Sequence, residues 1–156
     1  MNWEAIGAIG EIVGALGVVI SLVYLATQIR TQNRESRLAA AHDILVGFRE
    51  SIQAFGSVSL GVIFAKGNDD WSSLSDPEIM NLLSGLLPML RLWEEAFIQY
   101  QNGRLEYRIW KGINSQYSAY LNYPAISKAW ELRGHHFDND FQQHVNSIQK
   151  TELKIR

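Results

Sequence analysis

The chain contains no cysteine among its 156 residues, and proline occurs only at Pro77, Pro88 and Pro124. Without cysteine the protein forms no disulfide and has neither a thiolate metal ligand nor a cysteine nucleophile. Runs of alternating β-branched residues are also missing, which argues against strands. The sequence therefore predicts an all-α fold.

A basic surplus is missing as well, since 14 Lys and Arg face 16 Asp and Glu and give a net charge of -2. Neutralising nucleic-acid phosphates needs a basic face, so we expect no nucleic-acid partner. Gly-rich phosphate loops and a Gly-x-Ser-x-Gly elbow are not found either. No cofactor is expected, and no enzyme class is supported.

The longest apolar segment lies at the start of the chain, over residues 6–29, and Glu11 is its only charged residue. At about 1.5 Å per residue a helix of this length reaches about 36 Å. The hydrocarbon core of a bilayer is about 30 Å thick, and no other segment is both long and apolar enough to cross it. We therefore expect residues 1–30 to form a transmembrane anchor.

Two other interpretations of this segment differ in what surrounds it. A signal peptide needs a basic leader and a small-residue cleavage site, whereas the leader here is acidic at Glu4 and Arg30 follows the run. A core helix of a soluble protein is the stronger alternative, because glycines and one glutamate are compatible with it. That alternative describes a soluble all-helical binding module or enzyme with its first helix buried.

The distribution of arginine predicts the orientation of the anchor. Arg30, Arg34 and Arg37 follow the apolar run, whereas its N-terminal flank has no Lys or Arg. By the positive-inside rule the N-terminus lies outside and the remaining chain in the cytoplasm. The predicted topology is therefore a single membrane crossing, with membrane lipid around the anchor.

Small and polar residues of the anchor fall on one helical stripe about 100° wide. In lipid, small residues allow helix backbones to approach closely, and polar side chains find partners across the contact. Parallel identical anchors that meet in this way close around one axis, so we expect a cyclic homo-oligomer. Its predicted interface residues are Gly7, Gly10, Gly14, Gly17 and Ser21.

The same side of the helix carries a second set of residues with two interpretations. One is a packing face only, with Glu11 near the outer interface. The other is an ion-conducting ring, in which Glu11 attracts cations and Val18 and Leu25 form hydrophobic constrictions. The predicted pore or polar stripe comprises Glu11, Val18, Leu25, Gln28 and Gln32.

Residues 31–156 are predicted to form a cytoplasmic helical bundle, whose first helix, 31–55, is continuous with the anchor because no helix breaker intervenes. Gly67 is expected at the end of the second helix and Gly103 at the end of the third, which Ser75-Asp-Pro-Glu78 opens as a capping box. The third helix is expected to be buried, with a kink at Pro88. The other predicted helices are 58–65, 75–102, 104–121, 125–133 and 139–150, followed by a frayed tail.

The closing helices carry the aromatic residues predicted to form a core, namely Trp110, Trp130, Phe137 and Phe141. His135, His136, Asp138 and Asp140 cluster between them, but they lack the Glu-x-x-His or His-x-x-x-His spacing of helical metal sites. We therefore expect a solvated loop and no metal. In the adjacent pair Glu94-Glu95 the side chains point about 100° apart, so one is expected to be solvated or ion-paired.

Three stretches together resemble a family of uncharacterised small bacterial single-pass membrane proteins. They are the opening from Ala5 to Arg30, the segment Gly103-Arg-Leu-Glu-Tyr-Arg-Ile-Trp110, and Tyr123-Pro-Ala-Ile-Ser-Lys-Ala-Trp-Glu-Leu-Arg133 with Phe137 and Asp140-Phe141. The resemblance implies one anchor and a cytoplasmic helical domain without an assigned activity. The leading hypothesis is thus a self-associating inner-membrane protein that serves as a scaffold, a sensor or a small ion-conducting assembly.

Overall fold

The computed structural model describes residues 2–55 and 57–148, and within them every regular element is helical. The all-α prediction is confirmed. Short 3-10 turns lie at Trp71–Ser73 and Gly134–His136. The α-helices are α1 (Trp3–Phe55), α2 (Val58–Asp69), α3 (Asp76–Gln101), α4 (Tyr107–Tyr120), α5 (Pro124–Arg133) and α6 (Asn139–Ser147).

The chain divides into two compact units, which we call the N-terminal unit (Met1–Leu38) and the C-terminal unit (Ala39–Arg156). In the N-terminal unit the described residues from Trp3 onward are helical, and every described side chain is exposed. The C-terminal unit holds the hydrophobic core. Helix α1 runs from Trp3 through residues 31–55 without a break.

Helix α3 provides the centre of the core in the C-terminal unit. Leu82, Leu86, Leu90 and Trp93 follow one another at spacings of four, four and three residues, which place them on one face of the helix. Each is at most 1% exposed. The expected burial of this apolar segment is therefore confirmed. Pro88 lies within the helix on its exposed side.

The predicted capping box opens α3, as expected from the sequence. The Glu78 carboxylate accepts hydrogen bonds from the Ser75 backbone N–H at 2.8 Å and from the Lys66 ammonium at 2.9 Å. These bonds lower the pKa of Glu78 to about 2, and the bond from the Ser75 backbone has the largest effect. The helix ends before Gly103, whose φ of 67° is a conformation that glycine adopts without strain.

The predicted end of the second helix was wrong, because α2 continues through Gly67 to Asp69. Gly67 is buried inside the helix, and a Cβ added there would lie 3.1 Å from Leu74 Cδ1 and 3.2 Å from Leu82 Cδ2. The glycine therefore permits a close approach within the core and does not end the helix. The next residue, Asn68, accepts a hydrogen bond from the Ala125 N–H at 3.0 Å and so ties α2 to the start of α5.

The predicted start of the fourth helix was three residues too early, since α4 begins at Tyr107. The backbone N–H groups of Arg104 and Leu105 donate to the Gln99 carbonyl at 2.9 and 3.1 Å. These residues thus wrap the end of α3, and Leu105 is 3% exposed in the core. The last helix was predicted to reach about Lys150, but α6 ends at Ser147, and Ile148 after it has an extended backbone. The tail 151–156 lies outside the described residues.

Candidate functional site

The predicted interface glycines lie on the exposed surface of α1. A Cβ built at Gly7, Gly10, Gly14 or Gly17 would have no heavy atom of another described residue within 4 Å, apart from chain neighbours and the helix's own backbone. Packing among the described residues therefore does not require glycine at these positions. A contact through this surface would need a partner other than the described residues of this chain.

Hydrogen bonds within the helix satisfy several polar side chains of the N-terminal unit. The Ser21 hydroxyl donates to the Gly17 carbonyl at 2.9 Å, and the Gln28 amide donates to the Tyr24 hydroxyl oxygen at 2.8 Å. Thr27, on the opposite side, donates to the Tyr24 carbonyl at 2.7 Å. Such internal bonding lowers the cost of placing these groups in an apolar environment.

The remaining predicted stripe residues are exposed along the same helix. Val18 is 59% and Leu25 54% exposed, and Glu11 and Gln32 are exposed as well. In the single chain, these side chains do not pack against another helix among the described residues. The packing and pore interpretations both require further copies of the chain, so both stay predictions.

An aromatic and polar cluster in the C-terminal unit connects α3, α4 and α6. The Asn114 side-chain oxygen accepts from Trp93 Nε1 at 3.1 Å and lies 2.7 Å from His144 Nε2. Because the Asn114 side-chain oxygen can only accept hydrogen bonds, His144 Nε2 has to carry the proton in this arrangement. The His144 ring also stacks on Phe97, with centroids 5.2 Å apart. Burial lowers the pKa of His144, which favours the neutral ring.

A charged cluster fixes the turn between α5 and α6. Glu94 is only 8% exposed; it pairs with Arg91 at 2.6 Å and accepts the Asp138 backbone N–H at 2.6 Å. The Arg91 guanidinium also donates to the His136 carbonyl at 3.0 Å and lies 4.0 Å from the centroid of Phe137. Glu94 is therefore the ion-paired member of the adjacent glutamates.

The neighbouring Glu95 is exposed and accepts from the Gln99 amide at 2.7 Å. His135 and His136 are exposed, with ring centroids 3.9 Å apart. Asp138 accepts the N–H groups of Asp140 and Phe141 at 2.9 and 3.2 Å, and so caps α6. Among residues 2–55 and 57–148, no group of three or more His, Asp or Glu side chains is arranged to hold a metal ion.

A cavity of about 300 Å³ lies within the C-terminal unit. The last turns of α1 contribute Phe48, Ser51 and Ile52 to its wall. The other lining residues come from four separate segments and are apolar or aromatic: Phe64, Met89, Tyr120, Tyr123 and Ile126. The tilted rings of Phe64 and Tyr123, with centroids 5.7 Å apart, form one side.

Tyr117 lies behind this wall and contacts two of the residues that form it. Its ring contacts Phe48 and Tyr120, with centroids 6.1 and 5.7 Å apart, and it is 1% exposed. The hydroxyl has no hydrogen-bond partner of good geometry among the described residues. The Ser51 side chain is near enough to act on the pKa of Tyr117, which it lowers. Burial, the larger cause, raises the pKa of Tyr117 above its ordinary value.

The sequence missed the cavity, the contacts of Asn114 with Trp93 and His144, and the buried hydroxyl of Tyr117. The aromatic core that it did predict is present: Trp110, Phe137 and Phe141 are at most 6% exposed, and the Trp130 ring lies 5.2 Å from that of Phe137. Because the lining residues of the cavity come from five segments far apart in the sequence, no local residue spacing indicates it.

Comparisons with protein-family models, with curated proteins and with solved structures find no match to this chain. The family resemblance of the opening and closing motifs therefore stays a prediction. The function has to be inferred from the two features described above, the exposed apolar helix and the cavity.

Proposed function

We propose that the protein is a single-pass membrane protein whose N-terminal helix anchors a helical domain. The observation that carries this proposal is the exposure of the apolar segment. The described structure contains one helical segment long and apolar enough to cross a membrane, and none of its most apolar window is buried. Along residues 6–29, the exposed large side chains include Ile9, Ile12, Leu16, Ile20 and Leu22, each more than half exposed.

Physical considerations favour hydrocarbon as the environment of this surface. Soluble monomers rarely expose contiguous apolar patches larger than a few hundred Å², and here the apolar side chains surround a helix on every side. A helix that is hydrophobic all round is stable in a protein core or in a membrane. The exposures favour the membrane over the alternative of a soluble module with a buried first helix.

The proposed orientation places the N-terminus outside and the C-terminal unit in the cytoplasm of a bacterial cell, because Arg30, Arg34 and Arg37 follow the apolar run. Fractionation tests the anchor: the full chain should stay with membranes after an alkaline wash and be released by detergent. Recovery of folded chain in the wash would contradict the proposal. At the C-terminus, a fused reporter that works only in the cytoplasm should be active, and one that works only outside the cytoplasm should be inactive.

We propose further that the anchors associate through the glycine stripe into a cyclic homo-oligomer that presents several helical domains as a scaffold. The glycines support this because nothing in the described chain needs them, whereas close helix contacts in lipid do. Replacing Gly14 with Leu should weaken association, since the added side chain separates the backbones.

A matched control for that substitution is Ala8→Leu, which lies about 120° around the helix from Gly14. Crosslinking in membranes should show fewer oligomers for Gly14→Leu and an unchanged pattern for Ala8→Leu. Equal crosslinking of both variants and the parent, or monomers throughout, would contradict the proposed interface.

Ion conduction is the second candidate function, favoured by the position of Glu11. Its exposed carboxylate lies on the same side of α1 as Val18 and Leu25, so a ring of helices that faces this side inward would carry a ring of negative charge. Reconstituted protein should then conduct cations, and Glu11→Gln should reduce their preference over anions. A bilayer that stays non-conducting across pH and voltage would remove this candidate and leave the anchor intact.

A further inference from the structure

We propose that the cavity of the C-terminal unit binds a neutral, largely apolar small molecule that carries one hydrogen-bonding oxygen. This inference concerns ligand binding and does not depend on membrane anchoring or on self-association. It stands on the volume of the cavity, the apolar chemistry of its wall, and the Ser51 hydroxyl in that wall.

The volume sets the size of the ligand. An apolar cavity of about 150 Å³ holds one benzene ring, and small-molecule sites begin at about 300 Å³. The cavity of about 300 Å³ therefore suits two fused rings or a chain of similar size. The pocket is partly open to solvent, so a ligand of this size can enter it without unfolding of the core.

The wall sets the polarity of the ligand. Among the described residues that line it there is no Lys, Arg or His and no carboxylate. An ionised ligand would lose its hydration without gaining a counter-charge, which is costly in an apolar site. The aromatic rings of Phe48, Phe64 and Tyr123 offer instead a broad apolar surface, so we infer a ligand without net charge.

The hydrogen-bonding oxygen is inferred from Ser51. The Ser51 hydroxyl donates to the Phe48 carbonyl at 2.8 Å, and its oxygen remains able to accept. Among the described lining residues, Ser51 and the two tyrosines are the ones with polar side chains. A ligand hydroxyl placed against Ser51 can therefore donate a hydrogen bond to it.

The test uses the full chain in lipid nanodiscs, with 1-naphthol as the probe and naphthalene as the same ring system without the oxygen. Methionine methyl groups labelled with carbon-13 report occupancy by NMR, because Met89 lines the cavity whereas Met80 is 59% exposed elsewhere on α3. Equilibrium dialysis gives the free probe concentration, which corrects for partition into lipid. We expect a saturable shift of the Met89 signal and none of the Met80 signal.

Ser51→Leu and Ser84→Leu form a matched pair of variants. Both serines donate to a carbonyl of their own helix, but Ser51 lines the cavity and Ser84 is exposed. The leucine at 51 occupies part of the cavity, so the apparent dissociation constant of 1-naphthol should rise about tenfold or more. Ser84→Leu should leave it within about twofold, as expected of a surface substitution.

Ser51→Ala removes the hydroxyl without filling the cavity and remains informative if Ser51→Leu does not fold. The parent should bind 1-naphthol about three- to tenfold more tightly than naphthalene, the range expected for one hydrogen bond. Ser51→Ala should reduce this ratio while naphthalene affinity is retained. A Met89 signal that does not respond to either probe, or a ratio that Ser51→Ala leaves unchanged, would overturn the inference as stated.

Discussion

Two apolar helical segments of this chain are used in opposite ways. Residues 6–29 of α1 expose their large side chains, with Leu16 at 56%, whereas Leu82 and Leu86 of α3 are fully buried in the C-terminal unit. The difference lies in the pattern of polar residues. On α3, residues such as Asn81 and Ser84 leave a polar side next to the buried face, while the anchor segment is apolar on nearly every side.

This comparison shows that local hydrophobicity does not by itself assign a helix to a core. The α3 helix is bounded by charged and capping groups, with Glu78 bonded to Ser75 at one end and Arg91 paired with Glu94 farther along. Helix α3 has one apolar face, and that face packs against the other helices of the C-terminal unit. Residues 6–29 have large apolar side chains on most of the helix surface, and no described element covers them.

The largest expected effect comes from placing the same charge in both helices. Leu86→Asp should destabilise the C-terminal unit by more than about 4 kcal/mol, because it leaves an unpaired charge in the core. Leu16→Asp should leave its unfolding free energy within about 0.5 kcal/mol and instead reduce the fraction of chain recovered with membranes. Chemical denaturation in detergent, combined with fractionation, checks both results. Equal destabilisation by the two variants would erase the distinction.

A smaller effect is expected from the two adjacent glutamates. Glu94→Gln should cost about 1–3 kcal/mol, because the charge-assisted bonds to Arg91 and to the Asp138 N–H are weakened in a site of low exposure. Glu95→Gln, on the exposed side of α3, is the control and should cost less than about 0.5 kcal/mol. Urea unfolding followed by circular dichroism measures both. If the two changes cost the same, Glu94 does not fix the α5–α6 turn.

Two glycines of α2 should respond with opposite signs. Gly61→Ala should stabilise the C-terminal unit by about 0.5–1 kcal/mol, because a Cβ there meets no atom within 4 Å and alanine favours the helix. Gly67→Ala should bring no such gain, since its Cβ would press on Leu74 and Leu82. Thermal unfolding of the paired variants measures the difference. A similar gain from both would mean that the core yields easily at Gly67.

The smallest expected effect is a change in the pH dependence of stability. Burial lowers the pKa of His144 in the folded chain below its ordinary value of 6.5. At pH values between the pKa of the folded chain and that of the unfolded chain, the unfolded chain binds the proton more readily. Stability should therefore decline as pH falls below about 6.5. His144→Gln should flatten this decline relative to the parent, whereas His42→Gln, at an exposed position, should retain it. Denaturant titrations at several pH values measure the slopes.

The sequence predicted the parts of the fold that depend on local chemistry. The capping box at Ser75, the end of α3 before Gly103 and the apolar face of α4 through Ile113 and Tyr117 were all visible in short spacings. Helix ends were missed where a distant residue decides them. Gly67 lies inside a helix, because the missing side chain lets Leu74 and Leu82 pack closely against it. Leu105 lies outside a helix, because the N–H groups of Arg104 and Leu105 donate to the Gln99 carbonyl at the end of α3.

The candidate sites divide in the same way. A periodic stripe on one helix can be found from sequence, since the positions of Gly7, Gly14 and Ser21 repeat along it. The cavity requires Phe48, Met89 and Tyr123 to meet, and their separation along the chain gives no signal. Likewise, no sequence pattern indicated that Asn114 would contact both Trp93 and His144.

The account's central claim is that residues 6–29 cross a membrane, and single-cysteine labelling tests it most directly. Because the chain has no cysteine, each introduced thiol is the only one present. With a membrane-impermeant maleimide on intact cells, Asn2→Cys should react, Ser36→Cys should react only after permeabilisation, and Leu16→Cys should react only after denaturation in detergent. Labelling of Leu16→Cys as strong as that of Ser36→Cys in permeabilised cells that have not been denatured would contradict the claim.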